Sequence, residues 1–150
     1  MVTLPPGVTE ADRIAAEAAA IGWWEEYYRQ LDSLPDFDPN AILRKAVAGR
    51  PAGPALVAQL SKVESDGLVV RRGTIRKIVI VSTRFVSPTT AEVVVCGADD
   101  DSFLYRTTGG VESEGLARLF LLNVLEKGTN GWAVADYGSD QPSEKGQSCG

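Results

Sequence analysis

The sequence predicts an α+β domain in which N-terminal helices pack on a curved, mainly antiparallel sheet. Three observations carry that prediction. Apolar residues recur every three to four positions before Gly67 and mostly alternate after it. Ser87-Pro88-Thr89-Thr90, Gly109-Gly110 and Asn130-Gly131 then cut the second part into strand-length pieces at turn signals. Finally, the chain has 150 residues, enough for one core, since folding at that length buries about 70% of the unfolded surface. The expected organisation is a flexible N-terminus at 1–8, a single domain at 9–138 and a polar tail at 139–150.

The first helix is expected to begin at Thr9, whose hydroxyl caps free backbone N–H groups, with Glu10 and Asp12 in the positive first turn. It runs to about Leu34. Ile14, Ala18, Ile21, Trp24, Tyr28 and Leu31 form its apolar stripe, and Ala20, Trp23, Tyr27 and Leu34 widen it. Glu17, Glu26 and Arg29 are placed on the far side, with Glu25 four residues before Arg29. Pro35 stops the helix, and Asp38-Pro39 restarts one as cap and first residue. Residues 49–54, Gly-Arg-Pro-Ala-Gly-Pro, break the chain before a third helix carrying Leu56, Val57, Leu60 and Val63, which ends at Gly67.

A short strand is expected at Leu68–Val70, then a bend at Gly73 and a long strand over Thr74–Val86. Strict alternation puts Ile78 and Ile80 on one face of that strand and Val79, Val81 and Phe85 on the other. Ala91–Cys96 and Phe103–Thr107 read as the next strands. Leu116–Glu126 has the composition of a helix, but its position between two turn signals makes it a strand. Asn130-Gly131 suits a two-residue hairpin turn leading into Trp132–Tyr137.

Composition narrows the function classes. The net charge is −5, and the 15 basic residues are scattered, whereas a phosphate backbone needs a concentrated basic face. Nucleic acid and anionic membrane surfaces are therefore not expected partners. The longest weakly polar stretch, Ile14–Trp24, is shorter than the roughly 20 apolar residues that span a bilayer. Met1–Gly7 lacks the basic start and apolar run of a secretory leader. The expectation is either a cytosolic protein or an exported domain written without its leader.

The chain contains no histidine. That removes Ser-His-Asp and Cys-His catalysis and most catalytic zinc and non-haem iron sites. No metal and no cofactor are expected. Asp99-Asp100-Asp101 lacks the alternate acids, central glycine and distant glutamate of a calcium loop and reads as a solvated acidic turn. The glycines at 109–110 and 128–131 belong to hairpins rather than to phosphate-cradling strand-to-helix loops. Arg71, Arg72, Arg76 and Lys77 form the one basic cluster, read as a solvated strand edge. Cys96, near a strand end, and Cys149, in the tail, are either a bonded pair or two unrelated thiols.

The order of three helices, a short strand and a meander of long strands is similar to the nuclear-transport-factor-2-like cone fold, which is related in shape to cystatin. More narrowly, the chain resembles small exported or lipoprotein-type domains of high-GC Gram-positive bacteria and their phages. Trp24 and Tyr28, Gly67-Leu68-Val69-Val70-Arg71, Val95-Cys96 with Asp99-Asp100, Gly131-Trp132-Ala133-Val134 and Ser148-Cys149 carry that resemblance. It implies a Cys96–Cys149 disulfide tying the tail back, and an extracytoplasmic or cell-envelope address, the alternative being cytoplasmic. It also implies a pocket between the first helix and the sheet, lined by Trp24, Tyr28, Phe85 and Asn123.

In cone-fold isomerases and dehydratases an acid and a tyrosine project into that cavity. Tyr28 and Asp136 are the weak catalytic candidates here, Asp136 because alternation places it beside Trp132 and Val134. The leading expectation is a non-catalytic binding or protein-interaction domain, whose partner is a protein or a small apolar ligand. It would meet a membrane only through an anchor that this chain lacks. The alternatives are a small isomerase- or dehydratase-type enzyme and an envelope scaffold that dimerises through its sheet.

Overall fold

A computed structural model describes residues 3–150; Met1 and Val2, the start of the expected N-terminal segment, lie outside the described residues. Helix α1 spans Glu10–Asp32, α2 Pro39–Leu43 and α3 Ala52–Ser65. Eight strands follow: β1 (Leu68–Arg71), β2 (Arg76–Ser87), β3 (Thr90–Asp99), β4 (Ser102–Tyr105), β5 (Val111–Ser113), β6 (Ala117–Gly128), β7 (Gly131–Ser139) and β8 (Glu144–Lys145). The expected α+β architecture, with helices on a curved antiparallel sheet, is what forms.

The helix starts follow from local chemistry. Thr9 accepts from the Asp12 N–H while the Asp12 carboxylate accepts from the Thr9 N–H, a reciprocal cap. Asp38 caps α2 by accepting from the Asn40 N–H at 3.0 Å. Helix α3 starts inside the segment expected to break the chain. Pro54 is no obstacle there, because it occupies the first turn, where no N–H is bonded within the helix.

Helix α1 turns a different face inward from the one expected. Ala16, Ala20, Trp23, Trp24 and Leu31 are buried, whereas Ile14 is 57% exposed. The large indole of Trp23 fills the core, so Ala20 and Trp23, expected to widen the stripe, join Trp24 and Leu31 at its centre, and Ile14 and Ala18 fall outside it. Glu26, expected on the far side, is buried; it accepts from Gln30 at 2.8 Å and from Arg29 at 2.5 Å, so Arg29 pairs with Glu26 rather than Glu25.

The strands form two sheets rather than one meander. The larger has the order β2-β3-β6-β7, with β8 added beside β6, and the smaller has the order β1-β4-β5. Val93, Val95, Leu121, Leu125 and Val134 project from the large sheet into the core against α1 and α3. Two bulges correct the expected facing. Val81 is an extra residue between Ile80 and Ser82, so Thr83 and Phe85 move to the face of Ile78 and Ile80. Ala135 is extra between Val134 and Asp136, which turns Asp136 outward and Tyr137 inward. A one-residue slip reverses every later side chain.

Cys96 and Cys149 are bonded, closing a sequence separation of 53 residues on the outer face of the large sheet. The polar tail gains further ties: β8 pairs with Ala117 and Arg118, and the Gly146 N–H donates to the Leu116 carbonyl at 2.6 Å. Beyond that strap, Val79, Val81 and Val86 stand exposed on the outer face of β2. Among the described residues, no helix is long and apolar enough to cross a membrane.

Candidate functional site

A pocket of about 380 Å³ opens between the second half of α1 and the inner face of the large sheet. Trp24, Tyr27 and Tyr28 line it from α1, Tyr137 from β7, Ile78 and Val95 from the sheet, and Leu119 and Leu121 from β6. The aromatic side chains form one connected series. Tyr28 and Tyr27 have centroids 5.4 Å apart, Tyr27 and Trp24 5.7 Å, and Trp24 and Tyr137 5.1 Å with planes at 89°. Edge-to-face packing of this kind holds large rings in fixed orientations.

The expected lining residues separate. Trp24 and Tyr28 are in the pocket wall. Asn123 lies beneath, fully buried; its Oδ1 accepts from the Trp24 Nε1–H at 2.9 Å, and its Nδ2 donates to the carbonyls of Val93 and Leu121. It therefore positions the indole instead of touching the space. Phe85 is not part of this pocket: it packs on Trp132, with centroids 5.6 Å apart, in a shallow cleft beside Thr3–Pro6. The Val81 bulge delivers it there. Asp136 is exposed on the other side of the sheet, so Tyr28 and Asp136 do not meet.

The acid that meets Tyr28 is Asp99, the last residue of β3. The Tyr28 hydroxyl donates to Asp99 Oδ2 at 2.7 Å, and the Asp101 N–H donates to Oδ1 at 3.1 Å. Asp99 also lines the pocket. Burial pushes its carboxyl above the usual carboxylate range, while the Tyr28 hydrogen bond works in the opposite direction. Burial likewise raises the Tyr28 hydroxyl, helped by the charge on Asp99. Tyr137 is pushed up to about 12, by burial first and then by the charge on Asp136. Its hydroxyl donates to Gln59 Oε1 at 3.3 Å at the pocket mouth.

The acidic run is thus not a solvated turn. Asp101 is 5% exposed and accepts from Arg76 Nε at 2.9 Å and from the Gly73 N–H at 2.9 Å. Asp100 accepts from the Ile75 N–H at 2.7 Å, and that bond holds its carboxyl below the usual range. Nor is Arg76 part of a solvated basic edge. Both of its terminal nitrogens donate to Asp32, and its guanidinium lies 4.7 Å from the Tyr28 ring centroid. A side chain at Gly73 would meet Asp100 Oδ1 at 2.1 Å, which is why glycine stands at this close approach.

Strand parity was the signal for Asp99. Continuing the alternation of Val93 and Val95 through Gly97 brings the next inward residue to position 99.

The fold can be compared with solved structures. A ketosteroid isomerase-like protein from Erwinia carotovora atroseptica SCRI1043 superposes with a TM-score of 0.60 at 21% identity, covering 89% of this chain and 100% of that one. The chain adopts the nuclear-transport-factor-2-like cone fold. The intermembrane space region of the chloroplast protein ARC6 superposes with a TM-score of 0.60 at 13% identity, covering 83% of this chain and 95% of that one. At such identities the likeness is one of fold. No protein-family model matches the sequence, and no curated protein matches it. In cone-fold terms, the pocket occupies the cavity between the long first helix and the curved sheet.

Proposed function

We propose that this cone-fold chain is a non-catalytic binding domain that works outside the cytoplasm and takes a small apolar ligand between α1 and the sheet. The observation that carries this reading is the pocket itself, about 380 Å³ walled by Trp24, Tyr27, Tyr28, Tyr137 and aliphatic side chains. Ligand sites in small domains have this character, apolar walls with few polar groups. The non-catalytic part rests on Tyr28, whose single hydroxyl proton is already donated to Asp99. The extracytoplasmic part rests on the Cys96–Cys149 bond, since disulfides persist in oxidising compartments. A leader or lipid anchor joined ahead of this chain would complete that picture.

Titration with the neutral apolar fluorophore N-phenyl-1-naphthylamine, followed by the dye's own emission, tests the pocket. Saturable binding is expected in the wild type and its loss in Leu121→Trp, which fills the space. Equal binding by both proteins refutes the reading. Two free thiols in protein purified under oxidising conditions refute the address.

The Tyr28–Asp99 pair also supports a second reading, an isomerase- or dehydratase-type enzyme with Asp99 in the role expected for Asp136. In that reading Asp99 takes a proton from carbon and Tyr28 steadies the developing oxyanion. It predicts deuterium exchange at the α-carbon of cyclohexanone faster than in Asp99→Asn. Equal rates remove it.

A further inference from the structure

We infer that the ligand of this pocket is an apolar organic cation, a protonated amine or quaternary ammonium group carried on hydrocarbon, with its charge against Asp99 and the tyrosine rings. The inference rests on the pocket being a ligand site, as proposed above, and adds the chemical class. Three features of the pocket lead to it.

The first is the distribution of charge. Asp32, Asp99 and Asp101 surround one guanidinium, that of Arg76, and Arg76 directs its donors to Asp32 and Asp101. Asp99 accepts from neutral donors, the Tyr28 hydroxyl and the Asp101 N–H. It is a half-buried carboxylate at a pocket wall on which Arg76 acts by charge alone, with no ion pair or hydrogen bond to a cation among the described residues. An ionised carboxylate offers about four lone-pair sites; two are filled, which leaves acceptor capacity for an incoming group.

The second is the aromatic lining. Tyr28, Tyr27, Trp24 and Tyr137 follow one another along the wall at centroid separations of 5.1 to 5.7 Å. Ring faces attract cations through their quadrupoles, and clustered rings are how quaternary ammonium groups are recognised. Arg76 lies over Tyr28 but lines the groove beyond it and not the pocket. The ring wall is therefore not already occupied by a protein cation from inside.

The third concerns the alternatives. Arg118 also lines the pocket, but its guanidinium lies 5.2 Å from the Phe120 ring and pairs with Glu144 at 3.0 Å, its Nε alone being buried with no partner among the described residues. An anionic ligand would bring a like charge to Asp99 in a desolvated space, and a neutral hydrocarbon would strip water from that carboxylate without replacing it. The raised Asp99 carboxyl has burial as its first cause, and the neighbouring charges act in opposite directions, Asp101 raising it and Arg76 lowering it.

The test uses three probes of matched shape on the oxidised full chain: benzyltrimethylammonium, its neutral carbon isostere neopentylbenzene, and phenylacetate. Affinities are read from tryptophan fluorescence and from shifts of the tyrosine ring protons by NMR. The cation is expected to bind about tenfold or more tightly than the neutral isostere, and the anion most weakly. Asp99→Asn is expected to bring the cation-to-neutral ratio to within about threefold. Should that variant fail to fold, Tyr137→Leu, at a half-exposed site, is expected to lower the same ratio by about threefold. Equal affinity for cation and isostere, or a ratio unmoved by these substitutions, overturns the charge inference and leaves the pocket reading standing. If none of the three probes binds, the pocket reading itself fails and the inference falls with it.

Discussion

Replacing Asn123 by leucine tests the link between the core and the pocket wall. Asn123 is fully buried and makes three hydrogen bonds, one from the Trp24 indole and two to carbonyls of β3 and β6. At about 1 kcal/mol net for each, their loss costs about 3 kcal/mol, and the similar volume of leucine avoids a large cavity. With a slope of roughly 2 kcal/mol per molar urea, the unfolding midpoint should fall by roughly 1.5 M. The contribution of the Trp24 bond is isolated by a double-mutant cycle with Trp24→Phe. In the single variant Asn123→Leu the indole N–H is left buried and unmet, so a coupling of about 1 to 2 kcal/mol is expected between the two sites. A coupling near zero, or an Asn123→Leu protein as stable as the wild type, would show that Asn123 does not hold the indole in place.

Three further outcomes follow from the same geometry. Asp101→Asn removes one partner of the buried Arg76 pair and should cost about 3 kcal/mol or more, whereas Asp136→Asn, on the exposed side, should stay within about 0.5 kcal/mol; urea unfolding of both variants distinguishes them. Replacing both Cys96 and Cys149 with serine should lower stability by roughly 4 kcal/mol, the chain-entropy value for a loop of this length, and wild-type protein unfolded in reductant should show the same fall. Because the folded-state carboxyl of Asp99 is raised, its ionisation opposes folding. Stability from this group is present at low pH and lost as pH rises through the folded value. The stability of Asp99→Asn relative to wild type should therefore be greater at about pH 7 than at about pH 4. A difference that is flat, or that grows on acidification, would refute the burial of that charge.

The elements were legible because period and caps are local properties. Thr9, Asp38 and Pro39 mark helix starts by their own chemistry, and Asn130-Gly131 marks a hairpin. The facing of side chains was less legible. Val81 and Ala135 carry no mark of a bulge, being ordinary strand residues, yet each displaces everything after it, so Phe85 and Asp136 were assigned to the wrong sides. The acidic run misled for another reason: three adjacent aspartates look solvated until Arg76, Tyr28 and the Gly73–Ile75 backbone converge on them from distant parts of the chain. The adjacent tryptophans make the same point. Trp24 finds Asn123, while the Trp23 indole nitrogen is buried with no partner among the described residues, and nothing in the pair of letters tells them apart.

The bulges also define where the length of this chain is free to vary. Deleting Val81 leaves Ile80 and Ser82 opposite Val95 and Val94, and deleting Ala135 leaves Val134 and Asp136 opposite Leu125 and Val124, the partners they already have. Each deletion removes that bulge without exchanging the faces of its strand. A deletion in regular ladder, away from a bulge, would instead reverse the facing of the side chains beyond it. Related chains with one residue fewer at 81 or 135 can therefore keep the same inward-facing residues, and an alignment that closes the gap elsewhere would compare opposite sides of the sheet.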